Sequence, residues 1–424
     1  MASVMNVSDY KVEYDKAIKH NLYTGKISDI KKQAFEKFLV LGLPTNKWES
    51  WRHTNLSRLN NLKASSFNSL KNTSIGFNEN KIPINKLIDL VFYNGIYRKD
   101  LSSKLPKGIS VSENLDSILE NDHVYKETPF DLLNTTFLKS GIKIIMESNL
   151  ETDHAVRIIY NSSGTKSKII YPRVIVNINE SASCTLIEHH VNDIKSSFQN
   201  GVTRISIDKN ARLEHFKIQK NSDSMIDMSS TSVKQDQGSN YNYFQYCDGS
   251  EIGRSRIHIV MEGDGSTCQL GGISLTKDIQ QIDNSIIIEH KGKHTTSSQI
   301  FKSILDDSSS GVFDGKVIIR EKAIKTDAAQ SNKNLILSKN AGMNSNPQME
   351  IYNDDVKCTH GSSTGELDPE ALFYMRSRGL SLVSAKSLLI RGFLSDLIDD
   401  INHEGLRKYL LIEFDNWLVE NHKL

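Results

Sequence analysis

The middle of the chain is a long succession of short β-rich runs with no long helical pattern between them. Between about residues 142 and 360 many runs alternate apolar and polar residues, and short polar turns separate them. A fold that alternates strands with helices is therefore disfavoured. The runs are VRIIY, RVIVNI, CTLIEHH, TRISI, ARLEHFKI, RIHIV, NSIIIEH, KVIIR, NLILS and QMEIY.

Three units within this region resemble one another, since each consists of a strand, a polar turn and a second strand. They are VNINESASCTL, ISIDKNARLEH and IVMEGDGSTCQL. The first two turns lie about 29 residues apart, and the third follows about two such steps later. A repeat of this length in a region of strands predicts a solenoid, in which each rung buries its apolar face against the next. A β-sandwich is the alternative.

Helical patterns flank the β region on both sides. Apolar residues recur at helical spacing in residues 30–41, Asn94-Gly95 between two short strands indicates a hairpin, and Asp368-Pro369-Glu370 is typical of a helix start. The last two helices are amphipathic, and we expect them to cap the open end of the solenoid, to dock a partner, or both. The predicted organisation is an N-terminal helical domain (1–83), a mixed connecting segment (84–141), a β core (142–365) and a C-terminal helical domain (366–424).

Composition excludes several functional classes. The 424 residues carry a formal net charge of +1, which gives no reason to expect a nucleic-acid or anionic-membrane partner. No apolar run is long enough to span a bilayer, and the N-terminus lacks the pattern of a secretory signal, so we expect a cytoplasmic protein. The four cysteines are far apart and form no C-x-x-C pair, which argues against a disulfide framework or a metal site built from cysteines of this chain alone.

The densest polar cluster ends the β region, at residues 354–361 (DDVKCTHG). Cys358 and His360 are two residues apart, so on a strand their side chains share a face. A thiolate and an imidazole on one face could hold a metal ion or transfer sulfur. A buried cysteine beside a surface histidine is the alternative, and the spacing alone favours it.

A second motif follows at once and suggests a different chemistry. Gly361, Ser363 and Gly365 match G-x-S-x-G, the nucleophile elbow of serine hydrolases, between a strand and a helix. The upstream region lacks the strand–helix alternation of that fold, and no glycine-rich oxyanion loop precedes the serine. These two points indicate that the match is fortuitous, and a hydrolase that uses Ser363 is kept only as the rival hypothesis. No phosphate-binding G-x-x-x-x-G-K-[ST] and no G-x-G-x-x-G occurs, so we expect neither ATP hydrolysis nor Rossmann-type dinucleotide binding.

From His290 onward the chain carries a series of motifs: H-T-x-S (294–297), L-x-D with G-V-F-x-G (305–315), A-x-Q-x-N-x-N-L (328–335), D-D-V-K-C-x-H-G (354–361) and F-Y-x-x-S-R-G (373–379). In these motifs the sequence resembles the SufB/SufD family of iron–sulfur cluster assembly scaffolds. The resemblance covers most of the chain, weakly at the start and strongly over about 90 residues near the end. Within the family, the DDVKCTHG segment resembles the branch that pairs with SufB rather than SufB itself.

The resemblance implies a mainly β fold, a right-handed parallel β-helix flanked by N- and C-terminal helical domains. It implies a non-catalytic scaffold subunit that forms a heterodimer with SufB and carries the SufC ATPase on its C-terminal helices. A nascent iron–sulfur cluster would form transiently at the interface with SufB, with His360 as a transient metal ligand and Cys358 beside it. No permanently bound cofactor is expected, and the isolated chain could form a homodimer through an exposed edge. A β-helix scaffold without any site is the remaining alternative.

Overall fold

The computed structural model of the chain describes residues 7–19, 25–61, 82–119, 127–164, 168–192 and 197–422. Part of the predicted N-terminal helical domain, residues 62–81, lies outside this described part. The boundaries of the four predicted domains remain predictions. Helices precede the strands and follow them, as the sequence patterns indicate, but the first strand already begins at Leu87.

Two large sheets form the core, and from Arg173 onward successive strands alternate between them. Sheet A contains, in spatial order, β2 (Ile96–Tyr97), β1 (Leu87–Tyr93), β5 (Glu151–Ser162), β8 (Ser183–Asn192), β10 (Arg212–Asn221), β12 (Asn240–Asp248), β14 (Thr267–Thr276), β16 (Thr296–Leu305), β18 (Asp327–Ile336) and β20 (Lys357–Glu366). Sheet B contains β19 (Gly342–Ile351), β17 (Ser310–Ile319), β15 (Gln281–His290), β13 (Ile252–Met261), β11 (Ile226–Gln235), β9 (Phe198–Ile207), β7 (Arg173–Ile178), β4 (Gly141–Met146) and β3 (Ile109–Ser112), with β6 (Ile169–Ile170) beside β9.

This alternation of strands is a β-solenoid of about eight turns, which confirms the predicted fold class. From β5 to β20 the neighbours within each sheet are parallel, as a coil of rungs requires and a sandwich of hairpins does not. The amides of Asn192 and Asn221 bond one rung apart, at a sequence separation of 29 residues. The repeat seen in the sequence is therefore the length of one turn.

The β1–β2 hairpin turns at Asn94 and Gly95, which adopt positive φ angles of 53° and 79°. A tight turn of this kind needs left-handed backbone at both central positions, and Asn-Gly tolerates it best. Strand β1 then pairs in parallel with β5, so the segment predicted as a connection supplies an edge rung of sheet A.

Helices cover the outer faces of the two sheets. The N-terminal ones pack aromatic residues against the sheet B side, and the C-terminal pair α6 and α7 packs apolar side chains on sheet A. The expectation that the C-terminal helices cap the open end is wrong, because α6 and α7 bury their apolar side chains against the outer face of sheet A instead. None of the described helices is long and apolar enough to cross a membrane. The helices are α1 (Val7–Lys19), α2 (Gly25–Leu41), α3 (Leu115–Leu119), α4 (Pro129–Phe137), α5 (Pro369–Ser377), α6 (Leu382–Asp399) and α7 (Glu404–His422).

A segment at residues 49–55, which we call the strap, ties the N-terminal helices to sheet B. Its Trp51 ring lies 3.9 Å from the guanidinium of Arg254, and that guanidinium also donates to the Ser50 carbonyl at 2.9 Å. Arg254 forms a buried ion pair with Asp283 on the neighbouring strand, and the hydroxyl of Thr54 donates to the same carboxylate. The tryptophan and the threonine of this stretch are therefore structural anchors.

The buried ion pair that the strap contacts leads to a prediction about the stability of the fold. Replacing Arg254 by leucine leaves the fully buried Asp283 without its counter-charge. We therefore expect the free energy of unfolding to fall by about 3–5 kcal/mol. The double variant Arg254→Leu/Asp283→Leu should recover most of this loss, because no buried charge then remains. Urea unfolding measures both, with Arg391→Leu as the control, since its exposed pair with Asp415 is worth at most about 1 kcal/mol. Equal midpoints for Arg254→Leu and the control would contradict the role of the strap.

Candidate functional site

The last turn of the solenoid is open, and both sheets end there. Strand β20 pairs with β18 and strand β19 with β17, and neither has a second neighbour among the described strands. Nearly every residue of β20 is exposed, and no side chain of β19 is fully buried. The free edge of β20 thus presents a row of unpaired backbone donors and acceptors, which is a template for pairing with another chain.

The direction of each backbone group follows from the ladder. The N–H of Lys357 donates to Thr326, so odd-numbered residues of β20 bond towards β18 and even-numbered ones, including His360 and Ser362, face the free edge. On β19 the N–H of Gly342 donates to Ser309 in the same way. Pro347 therefore falls on the free side of β19, where a missing N–H costs nothing within the sheet.

His360 lies at the end of a column of side chains that face the solenoid interior. It is in register with Gln330 on β18, which is in register with Gln299 on β16. The two glutamines are buried, whereas the His360 side chain is exposed because no further turn covers it. The structure thus puts an imidazole at the mouth of the interior, on the strand with the free edge.

Cys358 occupies the neighbouring column on the same face of β20, as the spacing predicts. Its side chain is half-buried and packs with Val356 against a small apolar cluster that contains Ala328. Burial, and to a lesser extent the nearby Asp327, raises the pKa of the Cys358 thiol. Binding a metal would require removal of that proton, so Cys358 is a weaker ligand at neutral pH than a neutral imidazole.

These two side chains cannot complete a metal site by themselves. No group of three or more histidine, cysteine, aspartate or glutamate side chains in the described part of the chain is arranged to hold a metal ion. Two ligands on an exposed edge are half of a four-coordinate site, and the other half must come from elsewhere. The sequence leads to the same conclusion, since its four cysteines lie too far apart along the chain to form a metal site alone.

The rival site at Ser363 has the wrong geometry. Gly361, Ser363 and Gly365 all lie within β20, in regular strand, and none of them has a positive φ. A nucleophile elbow is a sharp turn between a strand and a helix, which lifts the serine above the sheet. The sequence reading that placed this motif between a strand and a helix is wrong, because the strand continues to Glu366. Nothing in the geometry of this segment supports a hydrolase.

The interior behind His360 is polar, a feature that the sequence patterns did not predict. Asn332 accepts hydrogen bonds from Asn334 and from Ser345 on the opposite sheet, each at 2.7 Å, and Ser362 donates to Ser345 at 2.8 Å. A pattern that indicates this polar interior is present in A-x-Q-x-N-x-N-L, where Gln330, Asn332 and Asn334 recur at period two. The pattern alone does not show which face of the strand points inward, because the other face of that strand is polar too.

A second exposed surface lies on α5, the short helix that follows β20. Strand β20 ends at Glu366 and α5 begins at Pro369, capped by the side chain of Asp368. None of its residues is buried, and Phe373 and Tyr374 remain 75% and 58% exposed. Two large aromatic side chains in water on one short helix are characteristic of a docking surface.

Comparisons with known proteins agree with this geometry. Residues 159–393 match the family model described as SUF system FeS cluster assembly, SufBD core domain. The iron–sulfur cluster assembly protein SufD of Escherichia coli is 28% identical over 402 residues, which cover 92% of this chain and 94% of that protein. An iron–sulfur cluster assembly SufBD family protein of Synechocystis is 27% identical over 387 residues, covering 85% of this chain and 84% of the relative. SufD of Bacillus subtilis is 23% identical over 284 residues, covering 66% and 64%.

The matched region runs from β5 into α6 and thus includes the open end with Cys358 and His360. Relatives from two bacteria that match along most of the chain carry the name SufD. The chain belongs to the SufB/SufD family of iron–sulfur cluster assembly proteins, and it resembles the SufD members of that family.

Proposed function

We propose that this chain is a cytoplasmic, non-catalytic scaffold subunit of the Suf system, which pairs with SufB through its open end and carries SufC on its C-terminal helices. A nascent iron–sulfur cluster, as the cargo, forms at the interface with SufB. The observation that carries the proposal is the position of His360, an exposed imidazole on the free edge of the last solenoid strand. Cluster assembly by the complex with SufB and SufC, compared with and without this imidazole, tests it.

The free edge supports pairing with a second solenoid. An uncovered parallel strand of ten residues is an aggregation hazard unless another strand covers it. In our proposal the partner, a protein of the same family, ends in the same way, so two solenoids meeting end to end would pair their strands and exclude water from the polar interior of both. The partner would then supply the ligands that Cys358 and His360 lack.

The link between β20 and α5 supports a role for SufC. Helices α6 and α7 are held firmly on sheet A, where the Lys302 ammonium bonds the Phe393 carbonyl at 2.6 Å and His189 contacts Tyr409 at 3.2 Å. Within the described part of the chain, no hydrogen bond or ion pair joins α5 to sheet A in this way. In our proposal SufC binds α5, and its ATP-dependent dimerisation shifts α5 and with it the edge strand, so that two arrangements of the interface exchange.

The exposed aromatic surface of α5 gives a direct prediction. Replacing Phe373 by glutamate should remove SufC from the complex and leave SufB bound, because it puts a charge into the centre of an apolar contact. We expect at least a tenfold loss of SufC affinity, measured by titrating SufC against the purified heterodimer. Val40→Glu on α2 is the matched control, since Val40 is also highly exposed. A variant at Phe373 that binds SufC with unchanged affinity would contradict this docking surface.

A further inference from the structure

Two buried glutamines behind His360 have amides without partners. Gln299 is 1% exposed and Gln330 is 3% exposed, and both face the solenoid interior. Neither the nitrogen nor the oxygen of either amide has a hydrogen-bond partner within the described residues. A folded protein rarely leaves one buried polar group unpaired, so four such atoms in one column point to an unmet binding role.

The arrangement of the two glutamines makes this more specific. They are in register on adjacent parallel strands, where stacked amides ordinarily bond to each other along the column. Here they do not. The nitrogen of Gln330 instead reaches across the interior to Gly315 on β17, where any side chain would collide with it and with Phe313. The fold thus keeps space for this amide without giving it a partner.

The next position in the same column is His360. Its Cα is in register with that of Gln330, so the imidazole and the amide lie on neighbouring strands about 4.8 Å apart and on the same face. No hydrogen bond of the His360 ring is found among the described residues. A histidine that binds a metal normally donates its other ring N–H to an oxygen, which fixes the tautomer and the orientation of the ring.

We propose that Gln330 is the positioning residue for His360. When SufB covers the free edge of β20, the Gln330 side chain turns so that its carbonyl oxygen accepts the ring N–H, and the other ring nitrogen is left to bind iron. Gln299, one rung deeper, donates its amide N–H to the same oxygen and holds it in place. This inference rests on the proposed function, since it assigns Gln330 a role only in the assembled complex.

Gln330→Met tests the inference, because methionine has a similar volume and offers no comparable acceptor. The variant is assembled with SufB and SufC, with only this chain carrying ¹⁵N-histidine. Two readouts follow: the rate of cluster formation, and the ring ¹⁵N shifts of His360 by solid-state NMR, assigned by subtracting the spectrum of His360→Ala. We expect at least a tenfold slower rate, and a change from one tautomer to a mixture. Gln269→Met, on the exposed outer face of sheet A, should change neither.

The outcomes separate this inference from the proposed function. Wild-type rate and shifts in Gln330→Met, with His360→Ala inactive, would overturn the role of Gln330 alone. A slower rate with unchanged ring shifts would show a merely structural effect and would also overturn it. Full activity of His360→Ala would instead refute the proposed function. If Gln330→Met does not fold, Gln330→Glu keeps the shape and the acceptor, and a tautomer mixture in that variant would equally contradict the inference.

Discussion

Replacing His360 by alanine should abolish cluster assembly while the complex with SufB and SufC still forms. The loss should exceed the roughly 10–100-fold that removal of an outer partner of a metal ligand typically costs, because the ligand itself is gone. The complex should survive because His360 is exposed and makes no hydrogen bond within the described residues, so its truncation should change folding stability by no more than about 0.5 kcal/mol.

Two further variants test whether the loss of cluster assembly is specific to His360. Cys358→Ala should reduce assembly less, since burial already disfavours its thiolate. His154→Ala, at a half-buried histidine on β5 at the other end of sheet A, should assemble clusters at the wild-type rate. The measurement is the rate at which the purified complex forms clusters from iron and sulfide, followed by visible absorbance. Wild-type assembly by His360→Ala would mean that the chain acts as a scaffold without a site.

Replacing Ser362 by proline should separate this chain from SufB without unfolding it. The N–H of Ser362 faces the free edge of β20, so proline removes no bond to β18 but takes one donor from the docking strand and puts a ring in its place. An unpaired carbonyl on the partner would cost about 1–3 kcal/mol in addition to the steric clash, and we expect at least a hundredfold weaker binding.

The matched control is Ser362→Ala, which also removes the hydrogen bond to Ser345 but keeps the backbone N–H. It should bind SufB nearly as tightly as the wild type. Thermal melting verifies that both variants are folded, and titration of SufB measures the affinities. If the proline and alanine variants bind SufB equally well, the two solenoids do not meet through the edge of β20.

Much of the solenoid could be predicted from the sequence because its two signals are local. Alternation at period two marked the strands, and the spacing of similar turns gave the length of one rung. The start of α5 at Asp368-Pro369 was equally readable, since capping depends on neighbouring residues alone. All three rest on interactions within a few residues or on a regular repeat.

Features that depend on distant parts of the chain escaped prediction. The sequence predicts an amphipathic helix at α6, but Leu388 is exposed there while Ile390 and Leu394 are fully buried against sheet A, and helical spacing alone does not distinguish them. The open end was expected to be capped because nothing local distinguishes a last rung from the others. Cys358 and His360 were found through their spacing and the family resemblance. Gln299 and Gln330 were missed because a polar residue on a strand points outward by default, and only the rung register reveals that these point in.

Co-purification tests directly whether this chain binds SufB and SufC: the tagged chain is expressed with both proteins from the same genome, and the mass of the recovered complex is measured by native mass spectrometry. We expect one SufB for each tagged chain, with SufC bound. We also expect that the Ser362→Pro variant recovers no SufB. A tagged chain that is folded and soluble but recovers neither protein, or recovers only a second copy of itself, would contradict the proposal that the open end of this solenoid binds SufB.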